Sequence, residues 1–315
     1  MWVIIGAGIM MLTALKSNSE PMTRPNDFYL WYETFGKKEN TPILLIQGSG
    51  AQGLLWHKQF CKKLIEMGYY VIRYDHRDTG QSSLVNYHKN PYELKDLMED
   101  AKLILDVLEL KKSHILGSSM GGYVAQLLGI YHPERVLTLT LMMSSFLSIS
   151  LEHAFLEDGS LFSLPLPTKQ FKNSLLKICP IPQTQAGLVD YMLSVWLAYN
   201  GAAIPYDPIY WNSLAKAWIA RTENISSSYN HRLAVSASTP SRERELKNLS
   251  TPTLIIHGSV DPFFPVEHAY ALQKAIPASS LVIIEEMGHL FHEAFIESVF
   301  NVLIPHLQKY DNQNS

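Results

Sequence analysis

The stretch that most constrains the fold lies within residues 113–131. A short apolar run, His114-Ile115-Leu116, leads into Gly117-Ser118-Ser119-Met120-Gly121. Beyond it Val124, Leu127, Leu128 and Tyr131 recur at helical spacing. The pattern G-x-S-x-G thus falls between a strand and a helix. A strand turning sharply into a helix strains the residue at the bend and lifts its side chain above the sheet edge. Glycines on either flank remove Cβ atoms that would clash there. The spacing predicts Ser119 as an exposed nucleophile. The pattern is common by chance, so its meaning depends on partners elsewhere.

Around the bend the chain alternates strands and helices. Residues 28–35 alternate aromatic and polar side chains up to Gly36, as in an antiparallel edge strand. Residues 42–48 (Ile43, Leu44, Leu45, Ile46) form a continuous apolar run, expected of a strand covered on both faces. A helix over 56–67, a strand over 69–75, an amphipathic helix over 91–110 and a strand over 136–143 follow. From 146 to 250 the rhythm breaks. Prolines cluster (Pro165, Pro167, Pro180, Pro182), and Trp196, Trp211 and Trp218 recur without period-2 alternation. The segment is too long for a loop and predicts a mostly helical inserted cap. The rhythm resumes with a strand over 253–258, a helix over 266–276, a strand over 281–286 and a helix over 291–309. The expected organisation is an apolar extension over 1–21, an α/β core over 22–145 and 251–315, and a cap over 146–250. Such alternation implies a mostly parallel sheet flanked by helices.

Composition narrows the partners. A hydrophobic share of 47% with 17% charged residues suits a globular protein with a real core. A formal net charge of -3 gives no electrostatic case for nucleic acid or an anionic membrane. Cys61 and Cys179 are far apart and form no metal-binding spacing, and Cys61 is expected as a packed thiol. Residues 1–15 carry no charged side chain, leaving membrane contact open. That run is shorter than the roughly 18–20 residues of a membrane span, and it lacks the positive n-region of a signal peptide. A cytoplasmic enzyme is the expectation.

A serine hydroxyl needs a general base, and the base needs an orienting group. In a strand-bend architecture these partners follow later strands in the order Ser, acid, His. The turn after 253–258 offers Asp261, and the turn after 281–286 offers His289, with His292 as a rival. Ser119, Asp261 and His289 each follow a strand on the carboxyl edge of one sheet, where open α/β sheets place their sites. Ser118 is the weaker nucleophile because Leu116 stands two residues before it. Glu285 and Glu286 are weaker acids because they fall inside the expected strand. An oxyanion hole needs two backbone N–H groups; Met120, after the nucleophile, and Ser49, in the turn Gly48-Ser49-Gly50, are the candidates.

Two competing motifs fall short. Residues 48–53 match G-x-G-x-x-G after a strand, and Asp75 ends the next one, as in a dinucleotide site. That pattern explains none of the placements of Ser119, Asp261 and His289. It also demands a helix at the bulky Leu54, Leu55 and Trp56. A zinc-protease pattern fails because His292-Glu293 would need a histidine where Ile296 stands. The polar cluster Arg73, Asp75, His76, Arg77 and Asp78 is expected as a satisfied salt-bridge corner rather than a substrate contact.

Over roughly residues 28–309 the sequence resembles the α/β-hydrolase family, and within it the aclacinomycin methylesterase-like esterases. The residues carrying that likeness are LLIQGSGAQGLLW (44–56), VIRYDHRDTGQSS (71–83), HILGSSMGG (114–122), TPTLIIHGSVDPFFP (251–265) and MGH (287–289). The resemblance implies an α/β-hydrolase fold and a serine ester hydrolase acting on a small-molecule ester, without metal or cofactor. It also implies Ser119 as nucleophile, Asp261 as acid, His289 as base, and Ser49 and Met120 as oxyanion donors. The chain departs in having Ser49 where those esterases have glycine and Gly122 where they have alanine. Prolyl aminopeptidase, C–C hydrolase and acyltransferase chemistry use the same triad, and a non-catalytic binding protein could use the same fold.

Overall fold

Continuous apolar runs become strands here because both of their faces are covered. The computed structural model describes residues 28–151, 155, 162–178, 180–201 and 204–311. In chain order the strands are β1 (Tyr32–Phe35), β2 (Pro42–Ile46), β3 (Tyr70–Tyr74), β4 (Ser113–Ser118), β5 (Val136–Met142), β6 (Thr253–Gly258) and β7 (Ser279–Ile284). They form one sheet in the order β1-β3-β2-β4-β5-β6-β7. Only β1 runs antiparallel, against β3, as its alternating edge pattern predicts.

Side-chain alternation splits the core into two layers. Leu44, Ile46, Ile72, Ile115 and Leu139 face one side, packed by α2 (Leu94–Val107), α3 (Met120–Tyr131) and α9 (Glu267–Ala275). Ile43, Leu45, Val71, Leu116 and Ile256 face the other, packed by α1 (Lys58–Glu66) and α10 (Ile296–Gln308). Cys61 is a buried free thiol of α1, and burial pushes it up to about 11. The helix start at 91 slips to Leu94, where Glu93 and Asp96 form a reciprocal capping box.

Between β5 and β6 lie α4 (Lys169–Ile178), α5 (Gln185–Asn200), α6 (Pro208–Ala220), α7 (Asn230–Ala237) and the one-turn α8 (Glu243–Leu246). An isolated antiparallel bridge, Leu147 to Ser241, draws the ends of this insertion together. Its interior is aromatic: Trp196 meets Trp211 and Trp218 edge-on, each at 5.4 Å.

Two sequence expectations need correction. Glu285 and Glu286 lie in the turn after β7 rather than inside it, because β7 runs two residues earlier in the chain than its apolar run suggests. The expected helix over 291–309 is interrupted: His292 accepts a hydrogen bond from the Ala294 N–H and caps a short turn, Glu293–Phe295, before α10 starts. Among the described residues no helix is long and apolar enough to cross a membrane. The 1–15 segment lies outside the described residues, as does Cys179.

Candidate active site

The bend after β4 is strained as its motif requires. Ser119 has φ 55° and ψ -120°, a conformation that L-residues adopt only when their surroundings enforce it. Its N–H donates to the Met142 carbonyl of β5 at 2.9 Å. Its own carbonyl accepts from Ser144 Oγ at 2.9 Å and from the Gly122 N–H at 2.9 Å. A Cβ at Gly121 would run into the Ile46 carbonyl of β2, so only glycine lets α3 enter this closely.

The structure brings the three predicted residues into one hydrogen-bonded chain. His289 Nε2 lies 2.9 Å from Ser119 Oγ, and His289 Nδ1 lies 2.7 Å from Asp261 Oδ2. The other Asp261 oxygen accepts from the Phe263 and Phe264 N–H groups at 2.9 and 2.8 Å. A carboxylate so occupied accepts a hydrogen bond from Nδ1–H, which leaves the Nε2 lone pair towards the serine hydroxyl. Burial would raise the Asp261 pKa. The His289 imidazole, its hydrogen bond, nearby His257 and the Phe264 amide together hold it below the usual carboxylate value.

The turns carrying acid and base are tied together. The Ser259 N–H donates to the Ile284 carbonyl at 3.0 Å, and the Val260 N–H donates to Met287 at 3.2 Å. Ser259 Oγ donates to Glu285 at 3.0 Å, which employs that carboxylate away from His289. The rival His292 is buried, its Nδ1 serving as the turn cap described above, and it takes no part in this chain of contacts.

The oxyanion candidates flank the serine. A Cβ at Gly48 would sit 3.0 Å from Ser119 Cβ, which brings the Gly48–Gly50 turn against the nucleophile. Among the described residues, neither the Ser49 nor the Met120 N–H is spent on another acceptor. The dinucleotide pattern does not survive. Gly53 opens only a short turn, Gly53–Leu55, and its N–H donates to Asp75 Oδ1 at 2.8 Å, so the acid is consumed inside the protein. The other charged groups of the polar corner are paired too. Arg77 makes a paired bond to Asp100 at 2.7 and 2.8 Å, Arg73 binds Glu33 at 2.6 Å, and Arg221 binds Asp75 at 2.7 Å. Asp78 accepts from the Tyr92 hydroxyl at 2.6 Å.

Ser119 and His289 open into a cavity of about 200 Å³. The core contributes Tyr123, Phe263 and Phe264, and the insertion contributes Ile149, Leu151, Trp196, Tyr199 and Trp218. Trp211 and Tyr206 of the insertion do not line the cavity and pack against each other. Sequence reasoning missed how far the insertion supports the site. The Tyr199 carbonyl at the end of α5 accepts the His289 N–H at 2.9 Å, and its ring lies 5.5 Å from the imidazole. No spacing in a segment without a steady period could have announced that contact.

A mostly parallel sheet with a strained serine at the bend after its central strand defines the α/β-hydrolase class. A profile of the family described as alpha/beta hydrolase fold matches residues 41–294. Rhodomycin D methylesterase DnrP of Streptomyces peucetius is 31% identical over 289 residues, covering 90% of this chain and 97% of that protein. DauP, the rhodomycin D methylesterase of Streptomyces sp. strain C5, is also 31% identical, with the same coverage of 90% and 97%. Among solved structures, a carboxylesterase of Nitrososphaera gargenis superposes with a TM-score of 0.71 at 16% identity, covering 93% of this chain and 100% of that one. Esterase EaEST of Exiguobacterium antarcticum gives 0.70 at 18%, covering 89% and 96%. This chain belongs to the α/β-hydrolase fold family, and the likeness to methylesterases expected from its motifs agrees with these relatives.

Proposed function

We propose that this ester hydrolase of the α/β-hydrolase fold is a serine enzyme that cleaves a small to medium apolar carboxylic ester, a methyl ester foremost, through an acyl-enzyme. The observation that carries the reading is the unbroken hydrogen-bond chain from Asp261 through His289 to Ser119. His289 Nε2 takes the Ser119 proton as Oγ attacks the ester carbonyl, and Asp261 stabilises the imidazolium that forms. The Ser49 and Met120 N–H groups donate to the oxygen that becomes negative. The tetrahedral intermediate collapses, the alcohol leaves with the proton held by His289, and the acyl group stays on Oγ. His289 then deprotonates a water, which releases the acid and restores the serine. The aromatic cavity supports an apolar substrate, and the two relatives at 31% identity are named as methylesterases. On this reading residues 146–250 act as the cap over the cavity.

Replacing Ser119 with Ala should lower p-nitrophenyl ester turnover by at least about 10⁴-fold and abolish labelling by a fluorophosphonate probe. Turnover or labelling that persists in Ser119→Ala sinks the assignment.

A further inference from the structure

Behind the Gly48–Gly50 turn sit two histidines that the reaction steps do not use. His76 follows β3, His231 belongs to α7 of the insertion, and both are fully buried with their rings edge-on at 5.5 Å. His76 Nε2 donates to the Gln47 carbonyl at 2.9 Å. The Gly50 N–H donates to His231 Nδ1 at 2.8 Å, and His231 Nε2 donates to the Arg77 carbonyl at 2.7 Å. A carbonyl can only accept and an amide N–H can only donate, so these contacts dictate each tautomer. The acceptor role of Nδ1 also requires His231 to be neutral, whereas His76 donates through Nε2 and its buried Nδ1 has no hydrogen-bond partner among the described residues. Burial pushes His231 down to about 4, against the hydrogen bond to the Arg77 carbonyl and with a smaller push from the Arg77 charge. Burial, helped by His231, pushes His76 down to about 3.

Peptide units are rigid planes. His76 pins the plane carrying the Gln47 carbonyl, and His231 pins the plane carrying the Gly50 N–H. The Ser49 N–H belongs to the single plane between them. Resting on the reading of Ser49 as an oxyanion donor, we propose that His231 is a positioning residue that aims this N–H, so that the insertion sets the geometry of the oxyanion hole. The insertion also touches the turn through Ser228, whose Cβ would lie 3.3 Å from a Cβ built at Gly50.

Three variants at one position test this. His231→Asn keeps an acceptor near the place of Nδ1, His231→Gln keeps a donor near that of Nε2, and His231→Leu keeps neither. For a p-nitrophenyl ester, His231→Leu should lower kcat by about 10- to 100-fold, with KM within about threefold. Affinity for a trifluoromethyl ketone, which forms an oxyanion adduct on the serine, should fall by the same factor as kcat/KM. Asn should restore most of kcat and inhibitor affinity, and Gln should not. Equal activity of the Asn and Gln variants at equal Tm, or a loss borne by KM alone, overturns the proposal. If His231→Leu does not fold, the Asn–Gln comparison decides by itself. Turnover surviving in Ser119→Ala is a different result, one that removes the serine reading rather than the positioning role.

Discussion

Nucleophile and base meet at 2.9 Å, yet the two sides of that contact are held by different parts of the molecule. Ser119 hangs from central strands: its N–H binds Met142 of β5, and Gly121 abuts Ile46 of β2. His289 leans on the insertion. Its N–H binds the Tyr199 carbonyl, and Gly288 closes against the Asn200 carbonyl at the end of α5. Central strands open only with global unfolding, whereas elements added to the sheet open at lower free energy. The nucleophile therefore inherits the stability of the whole core. The base, tied on one side to the acid turn, depends in addition on the insertion's docking.

One pair of substitutions can break this contrast. In Gly121→Ala the new methyl meets the Ile46 carbonyl and lies 2.6 Å from the Gln47 oxygen, all backbone of the strand and turn behind the serine. We expect a stability loss of about 3 kcal/mol or more in urea unfolding, with activity lost as well. In Gly288→Ala the methyl meets the backbone carbonyl of Asn200, and on this contrast a shift of α5 relieves it. There kcat should fall about 10- to 100-fold while stability falls by only about 1 kcal/mol. Equal destabilisation by the two alanines would mean that the insertion is as firmly fixed as the sheet.

The same division governs what the sequence made legible. Strand runs such as 42–46, the glycine-flanked bend and the acid and histidine turns are local patterns, and a sheet buried on both faces leaves them few alternatives. Ser119, Asp261 and His289 could be placed because each follows a strand. Where tertiary contacts set the outcome, the sequence was silent. Nothing local in Tyr199 or His231 marks a residue that supports the site from the insertion. The boundary errors have local causes of another kind. The helix expected over 291–309 broke because the His292 side chain satisfied a backbone N–H that a longer helix would have bonded internally. Glu285 lies just past β7, which ends at Ile284, and its engagement by Ser259 is what removes it from the chemistry.

Within the insertion a second pair of residues separates packing from substrate contact. Trp196 and Trp211 are both buried and touch each other, but only Trp196 lines the cavity, while Trp211 Nε1 donates to Glu293 at 2.9 Å. Each alanine variant should cost about 3 kcal/mol in urea unfolding. Only Trp196→Ala should raise KM for a bulky apolar ester, by about tenfold, with Trp211→Ala within about twofold of the parent. A matching rise in both would show that the aromatic cluster moves as one body and that cavity lining carries no separate specificity.

The smallest effect belongs to one of the two positions where this chain departs from the esterases it resembles. Ser49 is exposed at the cavity rim, and in the proposed mechanism only its backbone N–H acts. Ser49→Gly keeps that N–H and removes a hydroxyl that makes no hydrogen bond to the described residues. Stability should stay within about 0.5 kcal/mol of the parent, as for an exposed side chain clear of other contacts. Turnover of a p-nitrophenyl ester should stay within about twofold, because the pinned planes at Gln47 and Gly50 limit the freedom that glycine adds. A drop beyond about tenfold in kcat/KM would place the Ser49 hydroxyl on the substrate. If the same drop appeared with the His231 contact intact, the aim of the turn would depend on its own side chain as well as on the insertion behind it.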